Sequence, residues 1–157
     1  MNLITSLSEI KDLAKALHDQ KKDIVLVGGC FDILHLGHVR FLEEAKKIGD
    51  MLIVFIESDE TIRKSKGENR PIHTQKDRAT VVSSLTSVDF TILLPPLCKD
   101  EDYGDIIRTL QPRVIATTQG DPYRSHKERH ARETGAEVLD VIDRLPEFSS
   151  TRLSQIA

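Results

Sequence analysis

The sequence has little cysteine, no excess of positive charge and no long apolar stretch, and each shortage removes a class of protein. Two cysteines in 157 residues, Cys30 and Cys98, stand far apart and outside any paired-cysteine motif. Neither a disulfide framework nor a structural zinc site is expected, and both read as free thiols. Lysine and arginine number 22 against 25 aspartates and glutamates, a net charge of −3. No general field for polyanions exists, so a nucleic-acid partner is not expected and any phosphate chemistry must use local cations. The longest uninterrupted apolar run, Met51 to Ile56, is far too short to cross a bilayer. The first residues, with Glu9 and Asp12, carry no apolar signal core, and the expectation is a cytoplasmic protein with no membrane partner. A Walker-type Gly-x-x-x-x-Gly-Lys and a Gly-x-Gly-x-x-Gly fingerprint are also missing, which speaks against a P-loop nucleotidase and a dinucleotide dehydrogenase.

What is present fits one domain over 1–157, with 39% hydrophobic residues for a full-sized core. Ser6 with Glu9 reads as a capping box, and Ile10, Leu13, Ala14 and Leu17 follow at helical spacing, predicting a helix over 6–20. Ile24 to Val27 reads as a strand closed by Gly28-Gly29. A helix over 36–48 follows, with Gly49 as its expected C′ residue. Met51 to Glu57 lacks polar alternation, as strands covered on both faces do, which points to a parallel sheet. A charged surface loop over 58–73, a helix over 74–85, a strand over 89–94 and a stop at Pro95-Pro96 come next. Helix 101–110, strand 113–118, helix 124–134 ended by Gly135, strand 137–142 and a short helix from 150 complete the order. The reading is an α/β fold: a single Rossmann-like, doubly wound, five-stranded parallel sheet with ligands in the crevice at the strands' C-terminal ends.

At the end of the first predicted strand the chain reads Gly29-Cys30-Phe31-Asp32-Ile33-Leu34-His35-Leu36-Gly37-His38. Histidines three apart at a helix start share one face and can hydrogen-bond one oxyanion. Gly37 between them removes a Cβ where an anion would approach backbone N–H groups at the positive end of the helix. The pair could instead be half of a metal site, but no Cys or carboxylate cluster completes one, and no metal is expected to be held by the protein.

These residues resemble the signature of the nucleotidylyltransferase superfamily, in its cytidylyltransferase-like branch. The resemblance implies transfer of a nucleoside monophosphate from ATP or CTP to a sugar or polyol phosphate, with release of pyrophosphate and with Mg²⁺ carried by the nucleotide. It also implies a possible homodimer. The helix before the first strand and Lys66-Gly67-Glu68-Asn69-Arg70-Pro71 resemble the adenylyltransferase domain of the ADP-heptose pathway, which implies a heptose 1-phosphate as acceptor. Arg144-Leu145-Pro146-Glu147-Phe148-Ser149-Ser150-Thr151 resembles a stretch of glycerol-3-phosphate cytidylyltransferases, with Glu147 in place of a glycine. Gly120-Asp121 matches the Gly-Asp after the fourth strand, where base and ribose lie in the family, with Gln119 and Pro122 as departures.

Roles follow from the resemblance. His35 and His38 would grip the α-phosphate, with Lys66 and Arg144 as further catalytic cations. Gly29, Cys30, Phe31, Asp32, Gly37, Arg78, Gly120, Asp121, Ser149, Ser150 and Thr151 would line the nucleotide site. Arg78, in the first turns of a helix where the dipole disfavours a cation, is expected to meet an anionic ligand. Lys64 could also reach phosphates. Arg124, His126, Lys127, Arg129 and His130 read as a solvated helix face rather than an acceptor-phosphate site. A non-catalytic nucleotide- or flavin-binding module on a flavodoxin-like sheet is the alternative from another class.

Overall fold

The computed structural model describes residues 2–96, 98–143 and 149–156. Strand β1 (Leu3–Ile4) precedes α1 (Leu7–Asp19), whose Ser6–Glu9 capping box forms as expected. Then come β2 (Ile24–Gly29), α2 (Leu36–Lys46), β3 (Met51–Ile56), α3 (Asp59–Lys66) and α4 (Gln75–Ser83). The chain continues through β4 (Phe90–Leu93), α5 (Asp100–Leu110), β5 (Val114–Thr118), α6 (Arg124–Thr134), β6 (Glu137–Ile142) and α7 (Ser150–Ile156). All neighbours pair in parallel, in the order β1-β4-β3-β2-β5-β6.

The alternate residues of the central strands divide the core. Leu26, Ile53 and Phe55 face α1, α5 and α6 through Ile10, Leu17, Ile107, Leu110 and Ala131. Val25, Val27, Leu52 and Val54 face α2 and α4 through Leu42, Ala79 and Val82. Both faces are covered, which is why Met51–Ile56 is apolar without interruption. From β2 the chain winds towards β3 and β4, then crosses to the other side of β2 to form β5 and β6. The crevice above the carboxyl ends of β2 and β5 is therefore the topological switch point.

Three expectations need correction. The sheet has six strands, not five: β1 adds two residues to the edge, Leu3 opposite Thr91 and Ile4 opposite Ile92, too short to show any periodicity. The segment 58–73 is not all surface loop, because it holds α3. Ser58 Oγ accepts from the Thr61 N–H at 3.1 Å, acids occupy the first turn and bases the last, a charge order that complements the helix dipole. Only Ile62 is buried there, so the apolar period that announces a helix is missing. Gly49 is not a left-handed C′ residue. A Cβ there would lie 2.7 Å from Val25 Cγ2 and 2.9 Å from the Asp23 carbonyl oxygen, so close packing at the start of β3 demands glycine. Gly135, by contrast, has φ +75° as expected of a helix stop. Among the described residues no helix is long and apolar enough to cross a membrane, and Cys30 and Cys98 are free thiols.

Candidate active site

A cavity of about 700 Å³ opens at the switch point, walled by the ends of β2, β3 and β5 and by α2, α3, α5, α6 and α7. Its floor is the loop leaving β2. Phe31 takes a left-handed backbone, φ +49°, which is costly for a bulky residue. That turn folds the ring back over Gly29, where a Cβ would meet it at 2.8 Å, and buries it against the α2 side of the core. The ring then stands 5.1 Å from that of His38, tilted by 52° to it.

His35 is the N-cap of α2 and His38 lies in its first turn. The His35 backbone N–H donates to Nδ1 of His38 at 3.4 Å, and the two rings stack with centroids 3.8 Å apart and planes 22° from parallel. Because Nδ1 of His38 accepts, the proton of the neutral ring sits on Nε2. Burial lowers the pKa of His35. Burial first, then the charges of His35 and Lys66, lower that of His38 from 6.5 to about 4. Both imidazoles are neutral near pH 7, and each can still offer an N–H donor. Gly37, between them, also lines the cavity.

Two residues expected in the nucleotide site lie beneath it instead. Asp32 is not in the cavity wall. Its fully buried carboxylate accepts from Arg70 Nε at 2.7 Å and from the backbone N–H groups of Ile72 and His73 at 2.9 and 3.0 Å. Burial alone would raise its pKa, but these donors hold it below the usual carboxylate value. Arg78 is also a correction. Its side chain is fully buried and donates to the carbonyls of Cys30 at 2.6 Å, Glu57 at 2.8 Å and His73 at 3.1 Å, and to the Asp59 carboxylate at 2.7 Å. Three loops converge on this guanidinium, and that convergence, not a ligand anion, explains a cation in the first turns of α4.

Asp32 thus staples the loop after β2 to the segment entering α4. Replacing it with Asn should leave the buried Arg70 without its counter-charge. We expect a loss of about 2–4 kcal/mol of stability, read as a fall in melting temperature of roughly 5–15 °C.

The remaining expected residues separate into three groups. Gly29, Cys30, Phe31, Lys66, Asp121, Ser149 and Thr151 line the cavity with the two histidines. Gly120 does not line it: at φ +74° it supplies the left-handed turn that brings Asp121 back to the wall. There the Asp121 carboxylate accepts from Thr117 Oγ1 at 2.6 Å and Lys127 Nζ at 2.5 Å. Ser150 opens α7, and Arg144 lies outside the described residues, as does Glu147.

The cationic segment on α6 is only partly the solvated face expected. Arg124 pairs with Glu128 and Asp140, and Arg129 with Asp100, on the surface. His126, Lys127 and His130 turn into the cavity wall, and His130 Nε2 lies 3.0 Å from Asp100 Oδ1. Sequence reasoning missed Glu57, Thr61, Cys98 and Tyr103 as wall residues. The one available signal was position, since Glu57 directly follows a fully apolar strand, where a parallel sheet presents its ligands.

The cytidylyltransferase-like family model matches residues 26–155. Bifunctional protein HldE of Aliarcobacter butzleri is 44% identical over 112 residues, 71% of this chain and 23% of that protein. Bifunctional protein HldE of a Nitratiruptor species is 40% identical over 142 residues, 89% of this chain and 29% of that protein. The chain spans less than a third of the length of these curated relatives. Among solved structures, a lipopolysaccharide core biosynthesis protein from Thermoplasma volcanium superposes with a TM-score of 0.64 at 30% identity, covering 78% of this chain and 97% of that one. Pantothenate synthetase from Thermus thermophilus superposes with a TM-score of 0.68 at 14% identity over 98% of this chain and 67% of that one, a likeness of fold alone.

Proposed function

Because the chain belongs to the cytidylyltransferase-like family of nucleotidyltransferases, we propose that it transfers adenylate from ATP to a heptose 1-phosphate-like sugar phosphate, releasing pyrophosphate. The observation that carries this reading is the stacked His35–His38 pair at the mouth of the switch-point cavity. Membership in the family replaces the alternative of a non-catalytic module. ATP and a heptose phosphate are favoured by the likeness of residues 66–71 to the ADP-heptose adenylyltransferase domain and by relatives named HldE. CTP with glycerol 3-phosphate is the second reading, favoured by the likeness of residues 144–151 to glycerol-3-phosphate cytidylyltransferases.

The acceptor phosphate needs no general base. Its second pKa is about 6, so near neutrality it is already mostly a dianion able to attack the α-phosphorus. The new bond joins an acceptor oxygen to that phosphorus, and the bond to the β-phosphate bridging oxygen breaks with its electron pair leaving on pyrophosphate. What must be supplied is stabilisation of charge where two anions meet. His38 Nε2–H and the His35 ring would donate to the α-phosphate, and Lys66 would bring positive charge to the acceptor phosphate. Ser149, Ser150, Thr151 and Arg144 would hold the pyrophosphate end. Mg²⁺ enters as part of the nucleotide substrate complex and neutralises triphosphate charge.

In this reading residues 1–157 act as one cytoplasmic domain, and a homodimer is tested by native mass. The enzymatic test pairs ATP or CTP, with Mg²⁺, with heptose 1-phosphate or glycerol 3-phosphate and measures pyrophosphate. ATP with heptose 1-phosphate should give the highest kcat/KM. Higher turnover with CTP and glycerol 3-phosphate would establish the second reading, and silence with every pair would reject both.

A further inference from the structure

The sheet order separates the cavity into two ends. Asp121, Ser149 and Thr151 lie on the β5–α6 and α7 side of β2 and Glu57 on the β3 side, while Tyr103 of α5 stands over Gly28 of β2, between Phe55 and His130. On the assigned reaction the nucleotide takes the first end and the acceptor the second.

Glu57 follows β3 directly and is half-buried in the cavity wall. Its backbone is pinned on both sides, the N–H donating to the Gly29 carbonyl at 3.1 Å and the carbonyl accepting from Arg78. Its carboxylate has no hydrogen-bond or ion-pair partner among the described residues. Tyr103 is held by an edge-to-face contact with Phe55, ring centroids 5.3 Å apart. Its hydroxyl reaches the cavity floor, 2.7 Å from where a Gly28 Cβ would stand, and likewise has no partner among the described residues. Glycine at 28 is what makes room for it. Burial, and then the nearby Glu57 charge, raise the phenol's pKa, so it keeps its proton and remains a donor.

We propose that Glu57 and Tyr103 are specificity-determining residues that read the hydroxyl groups of a polyhydroxylated acceptor phosphate. A sugar hydroxyl can donate to the carboxylate and accept from the phenol at once. An ammonium group has no lone pair and would leave the phenol proton without a ligand acceptor. Leaving these polar groups buried and unpaired is costly, so a site of this kind disfavours acceptors that cannot satisfy both. Lys66, in the same wall and close enough for its charge to act on Glu57, is placed for the acceptor's phosphate.

The assignment rests on the sugar-phosphate reading above, and the test separates the two. Steady-state rates are measured for the wild type, Tyr103→Phe and Glu57→Gln with ATP, Mg²⁺ and each of heptose 1-phosphate, glycerol 3-phosphate and phosphoethanolamine. Nucleotide affinity is measured without acceptor. Each variant should raise KM for heptose 1-phosphate by about tenfold or more, equal to about 1.4 kcal/mol, and narrow the preference over glycerol 3-phosphate. Nucleotide affinity should stay within about twofold. An active wild type whose variants keep the same KM and preference overturns this assignment alone. So does a wild type that prefers phosphoethanolamine, or a Glu57→Gln variant that loses nucleotide–Mg²⁺ affinity instead. A wild type silent with every acceptor overturns the functional reading and this assignment with it.

Discussion

Replacing Arg78 with methionine is expected to destabilise the protein by about 3–5 kcal/mol, a fall in melting temperature of roughly 10 °C or more. The side chain is fully buried and makes four hydrogen bonds, three to main-chain carbonyls and one to Asp59. Methionine fills similar volume but donates nothing, so the carbonyls of Cys30, Glu57 and His73 lose their partner where water has little access. Asp59 loses its counter-charge. Arg78→Lys keeps the charge, but a single ammonium cannot reach acceptors lying in three directions, and it should fall between the two. Thermal melts of the ligand-free proteins decide the matter. If Arg78 met a ligand anion instead, the methionine variant would melt near the wild type and lose only nucleotide affinity.

This residue also shows where sequence reasoning reaches its limit. A cation in the first turn of a helix signals a local electrostatic misfit, and the signal is real. What relieves it is three carbonyls at positions 30, 57 and 73, which no spacing rule brings together. Asp32 escapes in the same way, because its partners Arg70, Ile72 and His73 are about forty residues distant. Features written in neighbouring residues are legible: the Ser6–Glu9 box, the apolar β3 run, the Gly135 stop and the paired histidines. β1 and α3 are not, because two residues hold no period and a helix with one buried residue holds no apolar stripe. The Tyr103 hydroxyl reaches the cavity only through the Gly28 gap, an absence of side chain that acquires meaning when β2 passes under α5.

Substitution of His38 by alanine is expected to lower turnover by a factor on the order of 100 or more, with the fold retained. Nε2–H is aimed by two local constraints: Nδ1 accepts from the His35 backbone, and Phe31 and His35 flank the ring. On the proposed reaction, removing the ring removes a preorganised donor to the α-phosphate. His38→Gln, whose amide N–H can approach the Nε2 position, should recover part of the loss. The same ring leaves a mark on stability. Its pKa falls from 6.5 to about 4 in the folded protein, so between those values the unfolded chain binds a proton that the native state refuses. Stability contributed by the neutral ring is complete above about pH 6.5 and declines as pH falls towards 4. Melts from pH 8 to 5 should therefore decline less steeply at the acid end in His38→Ala than in the wild type. Pyrophosphate release within a few-fold of wild type would remove His38 from the reaction. Parallel melting curves would show that its ring is not held neutral by the fold.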